Sequence, residues 1–343
     1  MLTKSAILIK NNSPLKLSSL KIDQLKKGQV LVKILYAGFC SSQYGEIIGI
    51  KGKDKYLPHC MGHEACGLIV KKSNDIKKFK INDLVVCHWM KNQGPDCEKI
   101  EYRDSNNKTV NSGQITTFSK YSIISSNRLT KITKGKYNLK YLPLMGCSVP
   151  VGISTVEKIL KVKKDKKILI LGSGALGLPI VHFCKIKKLD TIDVLDKNYK
   201  NLQLAKEFGA KGLFQKINSH IISENLKHNK YDYIVDTIAS SKIINLILSY
   251  NVNCKIAFLG VPKINEKIKL NSLQINYGLK LLGSYGGNYK PNKDLKRYLD
   301  LLIKTNFNFK KYISKIYKFN DINKVVNDYK NGKIAGKALI KIS

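Results

Sequence analysis

The stretch from Lys167 to Asp196 most constrains what this chain can fold into. It begins with a short apolar run, Ile168 to Leu171, and continues through the turn GSGALG, Gly172 to Gly177. A segment with apolar residues at helical spacing, Leu178 to Lys188, and a second apolar run, Thr191 to Leu195, come before the closing aspartate. Short apolar runs bounded by glycines predict strands. The stretch therefore predicts strand, glycine turn, helix and parallel strand, the repeating unit of an α/β protein.

Each glycine of this G-x-G-x-x-G turn has a physical role. Gly172 permits a sharp turn, Gly174 removes a Cβ so that a phosphate can approach the backbone, and Gly177 lets the helix pack against the strand. The free N–H groups and the dipole at a helix N-terminus favour negative charge. Asp196 follows Gly177 by 19 residues, where a carboxylate accepts hydrogen bonds from an adenosine ribose and disfavours the 2′-phosphate of NADP. We predict an NAD site formed by Gly172, Gly174, Ala175, Leu176, Gly177 and Asp196.

Length and composition indicate an ordinary folded protein of two domains. The chain has 343 residues, of which 43% are hydrophobic and 25% charged. It has no apolar run long enough to cross a membrane, and its first residues lack the apolar core of a signal peptide. Eight scattered cysteines are typical of thiols or metal ligands rather than of a disulfide framework. We therefore expect a cytoplasmic protein with no membrane partner.

The formal net charge of +37 suggests nucleic acid as a partner. Only three of the 61 basic residues are arginines, however, and the lysines are spread over nearly every segment. A dedicated nucleic-acid surface concentrates its charge and uses arginine for bidentate contacts. We expect no specific nucleic-acid binding, although weak, salt-sensitive association with polyanions fits the charge. A basic binding protein without enzymatic activity remains an alternative hypothesis.

The alternation of elements changes along the chain and indicates a discontinuous domain. Residues 1–150 contain short strands and turns and a polar, irregular loop from Lys91 to Ser112, and a helix predicted from Leu142 to Leu160 crosses the boundary at residue 150. Strands and helices alternate through residues 151–285, and residues 286–343 return to a mixed pattern. We predict a β-rich domain of residues 1–150 and 286–343, wrapped around an inserted dinucleotide-binding domain of residues 151–285 with a doubly wound parallel sheet.

Three candidate metal ligands, Cys40, His63 and Cys147, each follow a glycine directly or after one residue. Two thiolates and one imidazole leave a fourth tetrahedral position open, as in catalytic zinc sites. The three residues do not form a local motif, so the alternative stays open that the cysteines are small buried hydrophobic residues and that His63 is an ordinary loop residue.

With these motifs in order, the chain resembles the zinc-dependent alcohol dehydrogenases of the medium-chain dehydrogenase/reductase superfamily. The resemblance runs from VLVKILYAGFCSS through GHEACG, the helix that carries GC, and GSGALG with its aspartate to the closing NGKIAGKALI. It covers nearly the full length. It implies a GroES-like, β-rich catalytic domain and a Rossmann coenzyme domain, with Cys40, His63 and Cys147 as the ligands of one catalytic zinc.

The resemblance also implies roles for four other residues. Glu64 lies where the family has a carboxylate close to the zinc, and Ser42 lies where a hydroxyl relays the alcohol proton. Trp89 aligns with an aromatic residue of the substrate pocket, although ordinary core packing is an equal alternative. Lys200 matches a cation near the adenosine ribose, and the alternative is an exposed helix lysine.

Two departures from the family pattern change the expectations. Many relatives have a four-cysteine structural zinc, but only Cys97 falls between Lys91 and Ser112, so we predict no structural zinc. Gly45 stands where the family has a relay histidine. Proton release would therefore run through Ser42 and water, or through His59 or Glu46.

These observations favour an NAD-linked, zinc-dependent oxidoreductase that acts on a small-molecule alcohol, with a polyol or sugar alcohol as one option. The resemblance implies a homodimer or homotetramer. The alternative within the superfamily is a zinc-free, NADPH-dependent reductase of activated double bonds or quinones. Those relatives lack the cysteine and histidine ligands that this chain has at positions 40, 63 and 147.

Overall fold

The computed structural model describes residues 1–217, 220–228 and 230–343, which fall into two units. The first unit comprises Met1–Ser148, Lys290–Leu299 and Ile313–Ser343, and the second comprises Val149–Tyr289 and Asp300–Tyr312. The first unit is therefore discontinuous in sequence. Residues 286–289 and 300–312 belong to the second unit.

The elements follow in chain order. The first part of the chain forms β1 (Leu2–Leu8), β2 (Lys16–Lys21), β3 (Gln29–Phe39), α1 (Ser41–Ile47), β4 (His59–Cys60), β5 (Ala65–Lys72), β6 (Leu84–Cys87), β7 (Glu101–Arg103), β8 (Thr109–Asn111), β9 (Tyr121–Ser125) and β10 (Leu129–Ile132). The middle part forms α2 (Ser148–Ser154), β11 (Lys167–Leu171), α3 (Gly177–Ile186), β12 (Thr191–Leu195), α4 (Tyr199–Phe208), β13 (Gly212–Phe214), α5 (His220–Lys227), β14 (Tyr233–Asp236), α6 (Ser241–Ser249), β15 (Lys255–Phe258), α7 (Ser272–Asn276) and β16 (Lys280–Gly283). The last part forms α8 (Pro291–Lys304), α9 (Phe309–Tyr312), β17 (Ile313–Lys318), α10 (Ile322–Lys330) and β18 (Lys337–Lys341).

The first unit is built from antiparallel strands around β3. Short strands close a barrel in the order β1-β2-β7-β8-β4, and a second sheet runs β10-β6-β5-β3-β18-β17, with β9 also paired to β3. The apolar side chains of Val30, Val32 and Ile34 are fully buried. Their burial on a strand paired to three neighbours makes β3 the centre of this unit's core.

The register of three neighbouring strands brings distant residues together. Phe39 pairs with Ala338, and Ala37 pairs with Ala65. The residue after β3, the residue before β5 and the first residue of β18 therefore lie at one end of the sheet. These residues are Cys40, Glu64 and Lys337.

The second unit contains a parallel sheet in the order β13-β12-β11-β14-β15-β16. This order, with the first strand of the unit at the centre, is that of a doubly wound dinucleotide fold. The Ile168–Leu171 side chains are fully buried, as a central parallel strand requires. Successive strands are added to one side of β11 up to β13 and to its other side from β14 onward. Ligands of such sheets bind at the carboxyl ends of the strands where this order switches.

Several sequence expectations differ from the structure. The loop from Lys91 to Ser112 was expected to be irregular, which is wrong for β7 and β8, because they pair with each other and close the barrel. Helix α1 lies in a part of the chain for which the sequence predicted short strands and turns. The helix expected from Leu142 to Leu160 is a 3-10 turn, then α2, then a π-helical turn at Thr155–Ile159. All eight cysteines are free thiols. Among the described residues, no helix has the length and apolar character needed to cross a membrane.

Candidate metal centre and dinucleotide-binding turn

Cys40 lies at the junction between β3 and α1, where the backbone is held by Gln43. The Cys40 N–H donates to Gln43 Oε1 at 2.6 Å, and the Gln43 N–H donates to the Cys40 carbonyl at 3.1 Å. Such reciprocal bonds at the start of a helix satisfy donors that have no partner within it. The position of the Cys40 side chain therefore follows from where β3 ends and α1 begins.

The candidate ligands converge although 23 and 84 residues separate them along the chain. One ligand atom each from Cys40, His63, Glu64 and Cys147 lies within 4.8 Å of the others. His63 and Glu64 immediately precede β5, and Cys147 immediately precedes α2. The structure thus brings the three predicted ligands and Glu64 into one group within the first unit.

Electrostatics within this group stabilise negative charge on the Cys40 sulfur. A hydrogen bond from the Cys147 thiol, helped by Lys337 and His63, holds the pKa of Cys40 well below its usual range despite burial. The same contact, together with burial, raises the pKa of Cys147. Burial lowers the pKa of His63, but the nearby Cys40 and Glu64 raise it more, so the net direction is upward. A group of this kind favours a cation among the sulfurs and the imidazole.

Glu64 forms a buried ion pair with Lys337, which sequence reasoning missed. Lys337 Nζ donates to Glu64 Oε1, and neither side chain is exposed to solvent. A Cβ at Gly146 would lie 2.8 Å from Glu64 Cβ and 2.5 Å from the Cys87 carbonyl oxygen, so only glycine leaves room there. In the sequence, the position of Lys337 directly before the apolar run ALI of β18 is the feature that could have indicated its burial.

The residues present fit a zinc ion. The Nε2 atom of His63 is buried and, among the described residues, has no hydrogen-bond partner. An imidazole nitrogen without a partner costs free energy unless a ligand satisfies it. Two sulfurs and one imidazole nitrogen are the donor types that zinc prefers in catalytic sites with an open position.

A second polar group surrounds His59. Its Nδ1 lies 3.0 Å from the Cys60 carbonyl oxygen. Its Nε2 lies 2.9 Å from Asp54 Oδ2 and 3.7 Å from Glu46 Oε1. His59 and Glu46, both considered for proton release, are thus in contact. Burial raises the pKa of Glu46, and its interaction with His59 opposes that shift.

Ser42 and Trp89 also lie in the first unit. The Ser42 hydroxyl oxygen is buried and has no hydrogen-bond partner among the described residues. Trp89 is half-buried, and its backbone N–H donates to the Gly146 carbonyl at 3.3 Å, next to Cys147. Its own carbonyl accepts a hydrogen bond from Arg128. The backbone of Trp89 is therefore joined to the segment that carries the third candidate ligand.

The glycine turn of the second unit has the geometry that its residues predict. A Cβ at Gly177 would lie 2.0 Å from the Gly172 carbonyl oxygen, so the third glycine is required for close packing. Gly172 has a φ of 91°, which favours glycine. A Cβ at Gly174 would meet nothing within 4 Å, so the space beside it is open. This space is where the pattern predicts a phosphate.

Asp196 lies at the end of β12 and is bonded to this turn. Its Oδ2 accepts hydrogen bonds from the Ser173 N–H at 2.9 Å and from Asn201 Nδ2 at 3.0 Å, and its Oδ1 accepts one from the Asn198 N–H at 2.8 Å. Asp196 is therefore both a candidate ribose ligand and part of the framework of the turn. Lys200 is exposed, in the first turn of α4.

Comparisons with known proteins agree with this description. A family model described as an alcohol dehydrogenase GroES-like domain matches residues 26–134, and one described as a zinc-binding dehydrogenase matches residues 175–304. Together the two models match well over half of the chain. They confirm the predicted fold class, a GroES-like domain with a Rossmann domain.

Curated relatives match over nearly the full length. An S-(hydroxymethyl)glutathione dehydrogenase of Escherichia coli (strain SMS-3-5 / SECEC) is 23% identical over 97% of this chain and 98% of its own. Alcohol dehydrogenase-like 1 of Arabidopsis thaliana is 24% identical over 96% of this chain and 93% of its own.

Among solved structures, the benzyl alcohol dehydrogenase of Acinetobacter calcoaceticus superposes with a TM-score of 0.88 at 23% identity over 100% of both chains. The 2R,3R-butanediol dehydrogenase of Bacillus subtilis gives a TM-score of 0.78 at 17% identity, over 99% of this chain and 100% of its own. At these identities the likeness shows the fold.

Proposed function

The chain belongs to the zinc-type alcohol dehydrogenases of the medium-chain dehydrogenase/reductase superfamily, and we propose that it is a zinc-dependent enzyme that transfers hydride between an alcohol and NAD. The observation that carries the proposal is the convergence of Cys40, His63 and Cys147 to within 4.8 Å. A zinc-free reductase would have no use for two thiols beside an imidazole nitrogen that no described residue hydrogen-bonds.

Cys40, His63 and Cys147 would hold the metal, with Glu64 beside it. Zinc held there would lower the pKa of the alcohol hydroxyl, and NAD would accept the hydride. The role of Glu64 and Lys337 is electrostatic, because burial raises the pKa of Glu64 and the Lys337 ammonium opposes that rise. The pair adds no net charge next to the ligands. Trp89, joined to the Cys147 segment, would line the alcohol pocket.

Ser42 is proposed to take the proton that the alcohol loses. Its buried hydroxyl oxygen is available, since no described residue bonds to it. Glu46 lies four residues further along α1 and therefore on the same helix face. Glu46 in turn contacts His59 at 3.7 Å. These residues offer an exit for the proton from Ser42 to solvent in the absence of a histidine at position 45.

NAD would bind at the glycine turn with the residues Gly172, Gly174, Ala175, Leu176 and Gly177. The preference for NAD over NADP is proposed from Asp196, whose carboxylate would repel a 2′-phosphate. Lys200 is an exposed cation in the adjoining helix turn, and the proposal assigns it the adenosine side of the coenzyme.

A homodimer, or a tetramer built from it, is proposed through the edge of the parallel sheet. Strand β16 lies at that edge over the described residues. Large apolar side chains precede it and are exposed: Leu273 by 53%, Ile275 by 54% and Tyr277 by 69%. An open strand edge beside exposed apolar side chains is typical of a covered interface. A cytoplasmic location is part of the proposal, in keeping with eight free thiols.

The test is metal analysis combined with an activity panel. Freshly purified protein is expected to contain about one zinc per chain and, with one alcohol of a panel of primary, secondary and polyhydric alcohols, to reduce NAD faster than NADP, measured by the absorbance of the reduced nicotinamide. Cys147→Ala is expected to lose both zinc and activity. Protein without zinc, or a Cys147→Ala variant with full activity, would contradict the proposal in favour of the zinc-free NADPH reductase.

A further inference from the structure

The proline in the first turn of α3 leaves one carbonyl of the glycine turn without its helical donor. In an α-helix the carbonyl of residue i accepts from the N–H of residue i+4. The Gly174 carbonyl does so from the Leu178 N–H at 3.1 Å. The next carbonyl is that of Ala175, and its partner would be residue 179, which is Pro179 and has no N–H.

Tyr312 supplies the missing donor. Its hydroxyl donates to the Ala175 carbonyl at 2.7 Å, from 137 residues away in the chain. The side chain lies at the end of α9 and is fully buried. Its ring packs against Phe307 with 5.3 Å between centroids, and Phe307 packs against His182 of α3 at 5.1 Å. The phenol is therefore held in place by a buried aromatic cluster within the second unit.

The bond fixes the orientation of a peptide group that faces the proposed coenzyme. A trans peptide is planar, so its carbonyl and its N–H point in opposite directions. Holding the Ala175 carbonyl back towards Tyr312 directs the Leu176 N–H the other way, out of the N-terminal end of α3. The preceding carbonyls are held similarly, because Thr237 Oγ1 donates to the Leu171 carbonyl at 2.7 Å and to the Gly172 carbonyl at 3.2 Å.

We propose that Tyr312 is a positioning residue for coenzyme binding, which orients the Leu176 N–H towards the pyrophosphate of the dinucleotide. The inference rests on the proposed function, because it needs a dinucleotide at the glycine turn. Tyr312 touches neither the coenzyme nor the alcohol in this account. It acts through the backbone of Ala175 and compensates for the donor that Pro179 lacks.

The test compares ligand binding to Tyr312→Phe and to the wild type. The variant keeps the ring and loses the hydroxyl, so its Kd for NADH and for ADP-ribose, measured by fluorescence titration and calorimetry, is expected to rise about fivefold, the effect of one lost hydrogen bond. The Kd for adenosine, which has no pyrophosphate, is expected to stay the same. General damage to the fold would weaken all three ligands alike.

Two further variants complete the design. Tyr231→Phe removes another buried hydroxyl of the same unit, one that donates to Asp193 at 2.6 Å, and is expected to leave the Kd for NADH unchanged. Pro179→Ala restores an N–H at the i+4 position of Ala175. In the Pro179→Ala background, Tyr312→Phe is therefore expected to change the Kd for NADH by less than about twofold. Should Tyr312→Phe alone fail to fold, a double variant that folds and binds NADH within about twofold of Pro179→Ala would support the compensation, and a larger loss of affinity would overturn it.

The outcomes separate the two proposals. A wild-type protein that binds neither NADH nor NADPH would overturn the proposed function and this inference with it. If the wild type binds NADH and the Tyr312→Phe variant binds it equally well, the inference alone is overturned. An equal loss of adenosine affinity, or a Pro179→Ala background in which the fivefold effect persists, would also overturn it.

Discussion

Glu64 and Lys337 show how much one buried charge can depend on another. Both side chains are fully buried beside the candidate ligands. Removal of one member of such a pair leaves a charge that neither water nor a counter-ion stabilises, which costs about 3–5 kcal/mol. The pair does not by itself make the fold more stable, since two buried charges lose their hydration on folding.

We expect Lys337→Met to lower the free energy of unfolding by about 3–5 kcal/mol, measured by urea denaturation at neutral pH. The double variant Glu64→Gln with Lys337→Met contains neither charge, so its free energy of unfolding should fall clearly less than that of Lys337→Met alone. Lys341→Met, at the exposed end of the same strand, is the matched control and should have little effect. Equal losses for Lys337→Met and Lys341→Met would contradict this account of the pair.

The candidate ligands were predictable from the sequence, and Lys337 was not. Cys40, His63 and Cys147 belong to rare residue types beside glycines, and the resemblance to a known family ordered them. Lys337 is one of 61 basic residues, and its partner Glu64 lies 273 residues away. No local pattern distinguishes it from the exposed lysines. Only the pairing of β18 with β3 makes it a buried charge.

Among the elements, the segment between β6 and β9 is held by hydrogen bonds from one asparagine side chain. Asn127 Nδ2 donates to the Gly94 carbonyl at 3.2 Å, to the Pro95 carbonyl at 2.9 Å and to Asp96 Oδ1 at 2.8 Å. Arg128 also pairs with Asp96, at 3.2 Å. A single buried amide therefore anchors three consecutive residues of this segment.

Asn127→Ala is expected to release this anchored segment. Loss of the bonds to residues 94–96 should destabilise the protein by about 1–3 kcal/mol and speed tryptic cleavage after Lys91, because proteases cut where the backbone opens locally. The readout is limited proteolysis followed by mass spectrometry, with the Kd for NADH expected to stay at the wild-type value. Asn106→Ala, an exposed asparagine of the same segment, is the control. Unchanged cleavage after Lys91 would rule out the anchoring role.

The type of an element was predictable from the sequence where its apolar run was long. The prediction failed where the element was short. The sequence predicted β11, α3 and β12 because each has enough apolar residues to show its period. Strands β7 and β8 have three residues each, too few to show alternation, and they exist because the closed barrel pairs them. The sequence did not predict helix α1, because its seven residues include Gly45 and two serines, which are poor helix formers.

At the scale of the whole molecule, the two proposed chemical sites belong to different units. The candidate metal ligands lie in the first unit and the glycine turn in the second. The first unit uses chain segments from both ends of the sequence, with β18 paired to β3. Its site therefore depends on contacts of long sequence separation, whereas the glycine turn is local to about 30 residues. This difference explains why sequence motifs predict the glycine turn more completely than the surroundings of the candidate metal ligands.

The net charge of +37 makes further positive charge costly for the whole molecule. Acidification adds such charge by protonating histidines, including two that are buried in separate units. Burial lowers the pKa of His88 in the first unit, and that of His182 in the second, to about 4. A histidine in an unfolded chain has a pKa of about 6.5. Both histidines are thus neutral in the folded protein where the unfolded chain would protonate them.

The stability contributed by a neutral His182 is complete above a pH of about 6.5 and is lost as the pH falls towards 4, since the unfolded chain binds the proton more tightly over that range. We expect His182→Phe, which keeps the ring contacts with Phe208 and Phe307, to show a shallower fall in the free energy of unfolding between about pH 7 and pH 5 than the wild type. Urea denaturation across that range, at constant salt, provides the comparison. His228→Gln, at an exposed position, should leave the slope unchanged. If His182→Phe and the wild type lose stability in parallel, His182 is not a source of the acid sensitivity.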